Sequence, residues 1–230
     1  MSNCSNCDNL IAKQSKYCSQ CGQSVASFEK PIRPVLTEML HETLDTDGRM
    51  LLTIKTLLLK PGLLSLEYRN GKRTLYTPPL RMYLVISILF FLLISALDLS
   101  NYQQGENFSA EIEYYPKIMF ALLPLLALLF QLLFRGTFYL SNLVFALHIH
   151  CIAYMIFAVM IPMEAYEKTY SLLIFLQFPF IIYLLVYIVL ALKRYYAQSW
   201  GKVIAKFLAL FFLYVNAMAV SFDYILPKII

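Results

Sequence analysis

The sequence predicts an all-α integral membrane protein of about five transmembrane helices, with a small N-terminal zinc ribbon and amphipathic interfacial helices. Three observations carry this. Of 230 residues, 60% are hydrophobic and only 14% charged, whereas soluble domains carry roughly 25% charged residues. From Tyr83 onward long uncharged runs dominate, and about 20 mostly apolar residues suffice to cross hydrocarbon. Four of the five cysteines stand in two close pairs within the first 25 residues. The chain divides accordingly into a ribbon (1–25), a proline hinge with cytoplasmic interfacial helices (26–79) and a helical membrane domain (80–230).

The stretch "CSNCDNLIAKQSKYCSQCG" places Cys4, Cys7, Cys18 and Cys21 in C-x2-C-x10-C-x2-C spacing. Four thiolates in two pairs close a tetrahedral zinc site with no position left for a substrate, which makes the expected Zn2+ structural. Gly22 permits the tight turn after the second pair. Two disulfides, four idle thiols and an iron site are the competing readings; a cytoplasmic location keeps thiols reduced and disfavours the first. A ribbon of this size has almost no apolar core, so metal binding is expected to fold it. Its basic residues, Lys13 and Lys16, face Asp8, too sparse a set for a nucleic-acid surface. A cytoplasmic partner or the protein's own membrane domain is the expected dock.

Pro31 and Pro34 suggest a hinge, and "VLTEMLHETLDTDGRMLLTIKTLLLK" reads as two helices broken at Asp47-Gly48. The second, from about Arg49 to Leu59, is too short to span and too apolar to lie free in water, which predicts an interfacial helix. Arg69, Lys72, Arg73 and Arg81 follow, flanked by Tyr68, Tyr76 and Tyr83. They are candidate contacts to lipid headgroups.

Five spans are expected, at about 80–97, 118–134, 138–161, 170–192 and 203–226, all helical because lipid satisfies no backbone group. Pro124 and Pro179 are expected to kink the second and fourth. Lys and Arg crowd the segment before the first span and the turn after the fourth, and are absent from 98–116. That asymmetry predicts a cytoplasmic N-terminus, with an external C-terminus provided the last span crosses fully.

The order C-x2-C, C-x2-CG-Q, a leucine-rich helix, "KPG", "EYRNGKR-x2-Y-x-PP" and a first span resembles a bacterial family of zinc-ribbon membrane proteins catalogued only as a domain of unknown function. "FALHIH" in the third span is similar to its other recurring element. The resemblance implies the architecture and a bacterial inner-membrane location, and no activity. Where that family carries an acid and a further histidine, this chain has Ser141 and Asn142.

His148 and His150 lie near the middle of the third span. Ionisable groups at that depth face the protein interior or a water path. At about 100° per residue the two rings point about 200° apart and cannot share one ligand site. His150 falls on a stripe with Arg135, Tyr139, Asn142, Ala146 and Ala153. This stripe is the candidate intramembrane polar path, with Gln131, Gln177, Tyr183, Tyr187 and Asn216 as helpers from other spans; the competing reading has each histidine bonded to a neighbouring helix. No Ser-His-Asp set, phosphate loop or H-E-x-x-H motif is present, so no catalytic residues are assigned and an enzyme is not expected. The favoured reading is a membrane-embedded scaffold, sensor or regulatory partner; the alternative is a small oligomeric channel or transporter. Expected partners are membrane lipids and either further copies of the chain or a cytoplasmic protein held by the ribbon, with no nucleic acid.

Overall fold

A computed structural model describes residues 2–12, 15–25, 49–101, 108–165 and 173–221, without the side chains of 98–101, 108–115, 164–165 and 173. The proline hinge, the helix expected before Asp47, the loops around 102–107 and 166–172 and the end of the fifth span all lie outside the described residues.

The elements run β1 (Ser2–Asn3), β2 (Leu10–Ile11), α1 (Arg49–Leu59), α2 (Leu63–Arg69), α3 (Pro79–Asn101), α4 (Phe108–Leu133), α5 (Tyr139–Ala165), α6 (Leu173–Tyr196) and α7 (Trp200–Val220). Helices α3 to α7 contain five stretches long and apolar enough to cross a membrane: Pro79–Leu97, Pro116–Leu133, Tyr139–Met163, Ile174–Tyr196 and Trp200–Val220. This is a multi-pass membrane protein. Both α4 and α6 continue through Pro124 and Pro179 as single helices.

The bundle is built around α5. Of its membrane stretch 61% is buried, against 11–28% for the other four. Its sequence shows why: apolar residues occur on every side, and the polar ones need protein partners on more than one face. One face of α5, with Phe145, Ile149, Ile152 and Ile156, packs against Phe130 of α4, Tyr187 and Leu192 of α6 and Val203 of α7. The opposite face, with Leu147, Cys151 and Tyr154, packs against Met82, Tyr83, Ile86 and Phe90 of α3 and against Leu57 and Leu64 of the short helices. Cys151, the fifth cysteine, is fully enclosed there.

The short helices form a tight hairpin against α5 and α6. On α1 Leu51, Leu52 and Leu59 are exposed. Its other face is taken by protein: Thr53 and Thr56 are buried beside Leu57. Thr53 accepts a 2.9 Å hydrogen bond from the Thr77 N–H, and Arg49 donates to the Thr74 carbonyl at 2.6 Å. Polar residues inside and leucines outside is the arrangement suited to lipid surroundings. At the hairpin tip Gly62 has φ +72°, and a Cβ there would lie 2.7 Å from the Ala191 carbonyl oxygen and 2.9 Å from its Cα. Only glycine allows both the left-handed backbone and this approach. Gly62→Ala is therefore expected to cost on the order of 2–4 kcal/mol from strain and overpacking together. Gly201→Ala, which meets open space on α7, should cost nothing measurable; SDS unfolding from mixed micelles compares the two.

Candidate functional site

The ribbon is two copies of one local fold. In the first knuckle the Cys4 N–H bonds the Asn9 carbonyl at 2.8 Å and the Asp8 N–H bonds the Cys4 carbonyl at 2.9 Å; in the second, Cys18 bonds Gln23 at 2.8 Å and Gly22 bonds Cys18 at 2.9 Å. Gly22 (φ 69°) and Asp8 (φ 58°) occupy the same left-handed position. Aspartate tolerates it better than most residues, which is how the first knuckle manages without a glycine. Strand β1 pairs antiparallel with β2, Ser2 opposite Ile11, and Tyr17 bridges Ser24.

These turns bring the four sulfurs within 4.8 Å of one another. None is in a disulfide. Cys4 to Cys21 and Cys7 to Cys18 are each 3.6 Å, close to the roughly 3.8 Å edge of a tetrahedron with 2.3 Å metal–sulfur bonds. The electrostatics agree. Backbone N–H groups of Cys21 and Gln20 bring the Cys18 thiol down to about 6, and the Gln23 N–H lowers Cys21. The Asn9 N–H favours the Cys7 thiolate too, but desolvation and the sulfurs of Cys21, Cys18 and Cys4 outweigh it and push that thiol up to about 12. A cation among the four sulfurs would favour the thiolate form of each. The cluster can therefore hold a metal ion.

Gln23, 6% exposed, joins this cluster to the membrane domain. Its Nε2 donates to the Gly71 carbonyl and to Ser5 Oγ at 3.0 Å, while its Oε1 accepts the Arg73 N–H at 3.0 Å. One side-chain amide thus pairs with the 71–73 backbone as a neighbouring strand would. Ser5 Oγ donates to the same Gly71 carbonyl at 3.2 Å. Gly71 (φ +88°) permits this, since a Cβ there would lie 2.8 Å from Ser5 Oγ. Gln23 and Ser5 carried no chemistry in the sequence reading; the visible signal was the "CG-Q" order itself.

The basic residues expected at headgroups are largely engaged within the protein. The Arg69 guanidinium lies 4.6 Å over the Tyr195 ring, Arg73 lies 5.5 Å over Tyr68, and Lys72 pairs with Glu67 at 3.5 Å. Arg81 is half-buried at the start of α3.

The polar stripe on α5 resolves into three separate contacts. Asn142, fully buried, donates to Gln131 Oε1 of α4 at 2.6 Å. It accepts from Thr137 at 2.9 Å and from Tyr196 of α6 at 2.9 Å. His148 Nδ1 meets Ser65 Oγ of α2 at 2.6 Å. His150 Nδ1 lies 3.0 Å from the Ala146 carbonyl; a carbonyl only accepts, so Nδ1 carries a proton, and in the neutral ring Nε2 accepts the Tyr214 O–H of α7 at 2.9 Å. The two histidines go to different helices, as their 200° separation requires. Tyr139 donates to the Pro124 carbonyl at 3.2 Å from an exposed position, and Arg135 is exposed in the α4–α5 turn. Tyr187 and Tyr183 donate to the Leu57 and Leu58 carbonyls at the end of α1, and Asn216 bonds its own helix at Phe212.

Fold and site together define a multi-pass membrane protein with an N-terminal four-cysteine cluster docked on the loop before its first span. Residues 47–91 match the family described as "Protein of unknown function (DUF3667)", which places α1, α2, the docking loop and the first half of α3 inside the match. No curated protein and no solved structure matches the chain.

Asn142→Ala removes three hydrogen bonds, two of them to other helices, and is expected to cost about 2–3 kcal/mol, at roughly 0.6–2 kcal/mol per interhelical bond in membranes. Asn216→Ala, exposed and bonded locally, should stay within about 0.5 kcal/mol. Unfolding in mixed micelles gives both values.

Proposed function

We propose that this protein is a regulatory scaffold of the bacterial inner membrane, whose cytoplasmic ribbon holds a structural Zn2+ and controls the loop and hairpin that lead into the first span. The observation that carries this is the Gln23 grip on Gly71 and Arg73. Gln23 belongs to the second knuckle, and its backbone carbonyl already bonds Cys18. Its position therefore depends on the closed cysteine cluster, and the loop's position depends on Gln23. Zinc suits four thiolates in two knuckles.

The hairpin relays the loop's position inward. Arg73 contacts Tyr68 and Lys72 contacts Glu67, both in α2, and Ser65 of the same helix meets His148 at the heart of the bundle. The ribbon, the 71–73 loop, Lys193 and Arg194 of α6 and Lys202 and Lys206 of α7 all lie toward one end of the bundle. Arg194 donates to the Pro61 carbonyl at 2.7 Å, and Lys206 bonds Gln198 at 2.9 Å. This grouping supports a shared, basic, cytoplasmic side. The same face offers a surface for a cytoplasmic partner or a further copy of the chain. We assign no catalytic role and no single-chain channel, because Asn142, His148 and His150 are each occupied by a separate helix contact.

The Arg73 amide tests the reading. In zinc-loaded protein it should exchange slowly; chelation, Cys18→Ser or Gln23→Ala should each speed it at least tenfold. The Gly71 and Lys72 amides, which bond Tyr68 and Glu67 of α2, are internal controls and should change little. Site-resolved hydrogen exchange measures all three, and an Arg73 amide indifferent to metal contradicts the proposal.

A further inference from the structure

Two sulfur contacts of 3.6 Å cross between the knuckles, Cys4 to Cys21 and Cys7 to Cys18. Within each knuckle the first cysteine has both its N–H and its carbonyl engaged in the turn, so the backbone is already shaped to hold these cross-knuckle neighbours. A disulfide bond is about 2.05 Å long, so each pair needs to close by only roughly 1.5 Å. Ser5 follows Cys4, Gln23 lies two residues past Cys21, and the two side chains bond each other at 3.0 Å beneath the Gly71 carbonyl. A bond between Cys4 and Cys21 would hold that pair in place as a metal does.

We propose that the ribbon is also a thiol-oxidation site: a peroxide-class oxidant converts it to Cys4–Cys21 and Cys7–Cys18 disulfides, which replace the metal as the staple and preserve the grip on the 71–73 loop. In each step two thiolates give two electrons to one peroxide molecule. The S–S bond forms as the O–O bond breaks, two protons from the buffer acid turn the two peroxide oxygens into water, and the second such step frees the Zn2+. Each pair joins a buried cysteine, Cys4 or Cys18, to a partly exposed one, Cys21 or Cys7, so an oxidant can reach one sulfur with its partner in contact. Loss of metal from the reduced protein then opens the ribbon, while loss by oxidation leaves it closed. This rests on the reading that a closed cluster maintains the grip.

The test treats full-length, zinc-loaded protein in detergent with hydrogen peroxide. It follows metal release with a chromogenic chelator, disulfide connectivity by mass spectrometry without reduction, and exchange at the Arg73 amide. Cleavage after Lys13 and Lys16 separates the knuckles, so cross-knuckle bonds keep the two peptides joined. The expected result is one zinc released for two disulfides, joined peptides and an Arg73 amide still slow; dithiothreitol with chelator should then make it fast. Cys4→Ser/Cys21→Ser protein should still form its remaining bond, and Cys4→Ser/Cys18→Ser should form it far more slowly. Separate peptides, equal bond formation in the two double variants, or a fast Arg73 amide after peroxide overturns the proposal. A fast Arg73 amide in the untreated zinc-loaded protein overturns the docking reading beneath it instead.

Discussion

A helix that ends among membrane spans leaves carbonyls that lipid cannot satisfy. The end of α1 meets this constraint with two tyrosine hydroxyls from one face of α6: Tyr187 donates to Leu57 at 2.7 Å, and Tyr183, one turn away, donates to Leu58. Much of the segment before the first span depends on these bonds. They hold α1 against the bundle, they set the tip where Gly62 meets Ala191, and they leave α2 to run back with Ser65 against His148. Released from the tyrosines, α1 would leave its last carbonyls without these partners and uncover the buried Thr53 and Thr56.

The same logic explains why α5 is central. Asn142, His148 and His150 are costly in lipid, and each is neutralised by a different neighbour: α4 and α6 together, the hairpin, and α7. Polar residues on several faces of one helix thus draw the other elements around it, and the aromatic and branched side chains fill the spaces between. The ribbon adds no core to this assembly. It touches the loop through backbone-directed hydrogen bonds from Gln23 and Ser5, a contact strong in geometry and small in area, suited to being made and released.

The spans and the cysteine cluster were legible because each follows from a local pattern: uninterrupted apolar runs in one case, paired thiols at fixed spacing in the other. The 200° between His148 and His150 was equally local and predicted their separate partners. What escaped depends on residues far apart in the chain. Nothing near Leu57 announces Tyr187, 130 residues later, so the protein-facing side of α1 had no local signal. The ring contact of Arg69 with Tyr195, far along the chain, was equally invisible locally. Arg135 falls on the His150 stripe only if the helix extends to it, and the chain turns at Gly136 instead. Asp8 lacked a signal because the motif points to glycine at that position, and only the repeated hydrogen-bond pattern equates it with Gly22.

With Ile174–Tyr196 taken as a span, the Tyr187 and Tyr183 bonds predict that the end of α1 lies within the bilayer alongside α6. Tyr187 and Tyr183 lie about 9 and 15 Å along α6 from Lys193, at roughly 1.5 Å per residue. The direct test is the depth of the exposed Leu59. Leu59→Trp in a Trp200→Phe background, which removes the single native tryptophan, is reconstituted in vesicles of lipids brominated at successive acyl positions. The account predicts blue-shifted emission quenched most by bromines within the acyl chains. Emission near that of a hydrated indole, quenched only at the headgroup level, would contradict it and return α1 to the membrane surface.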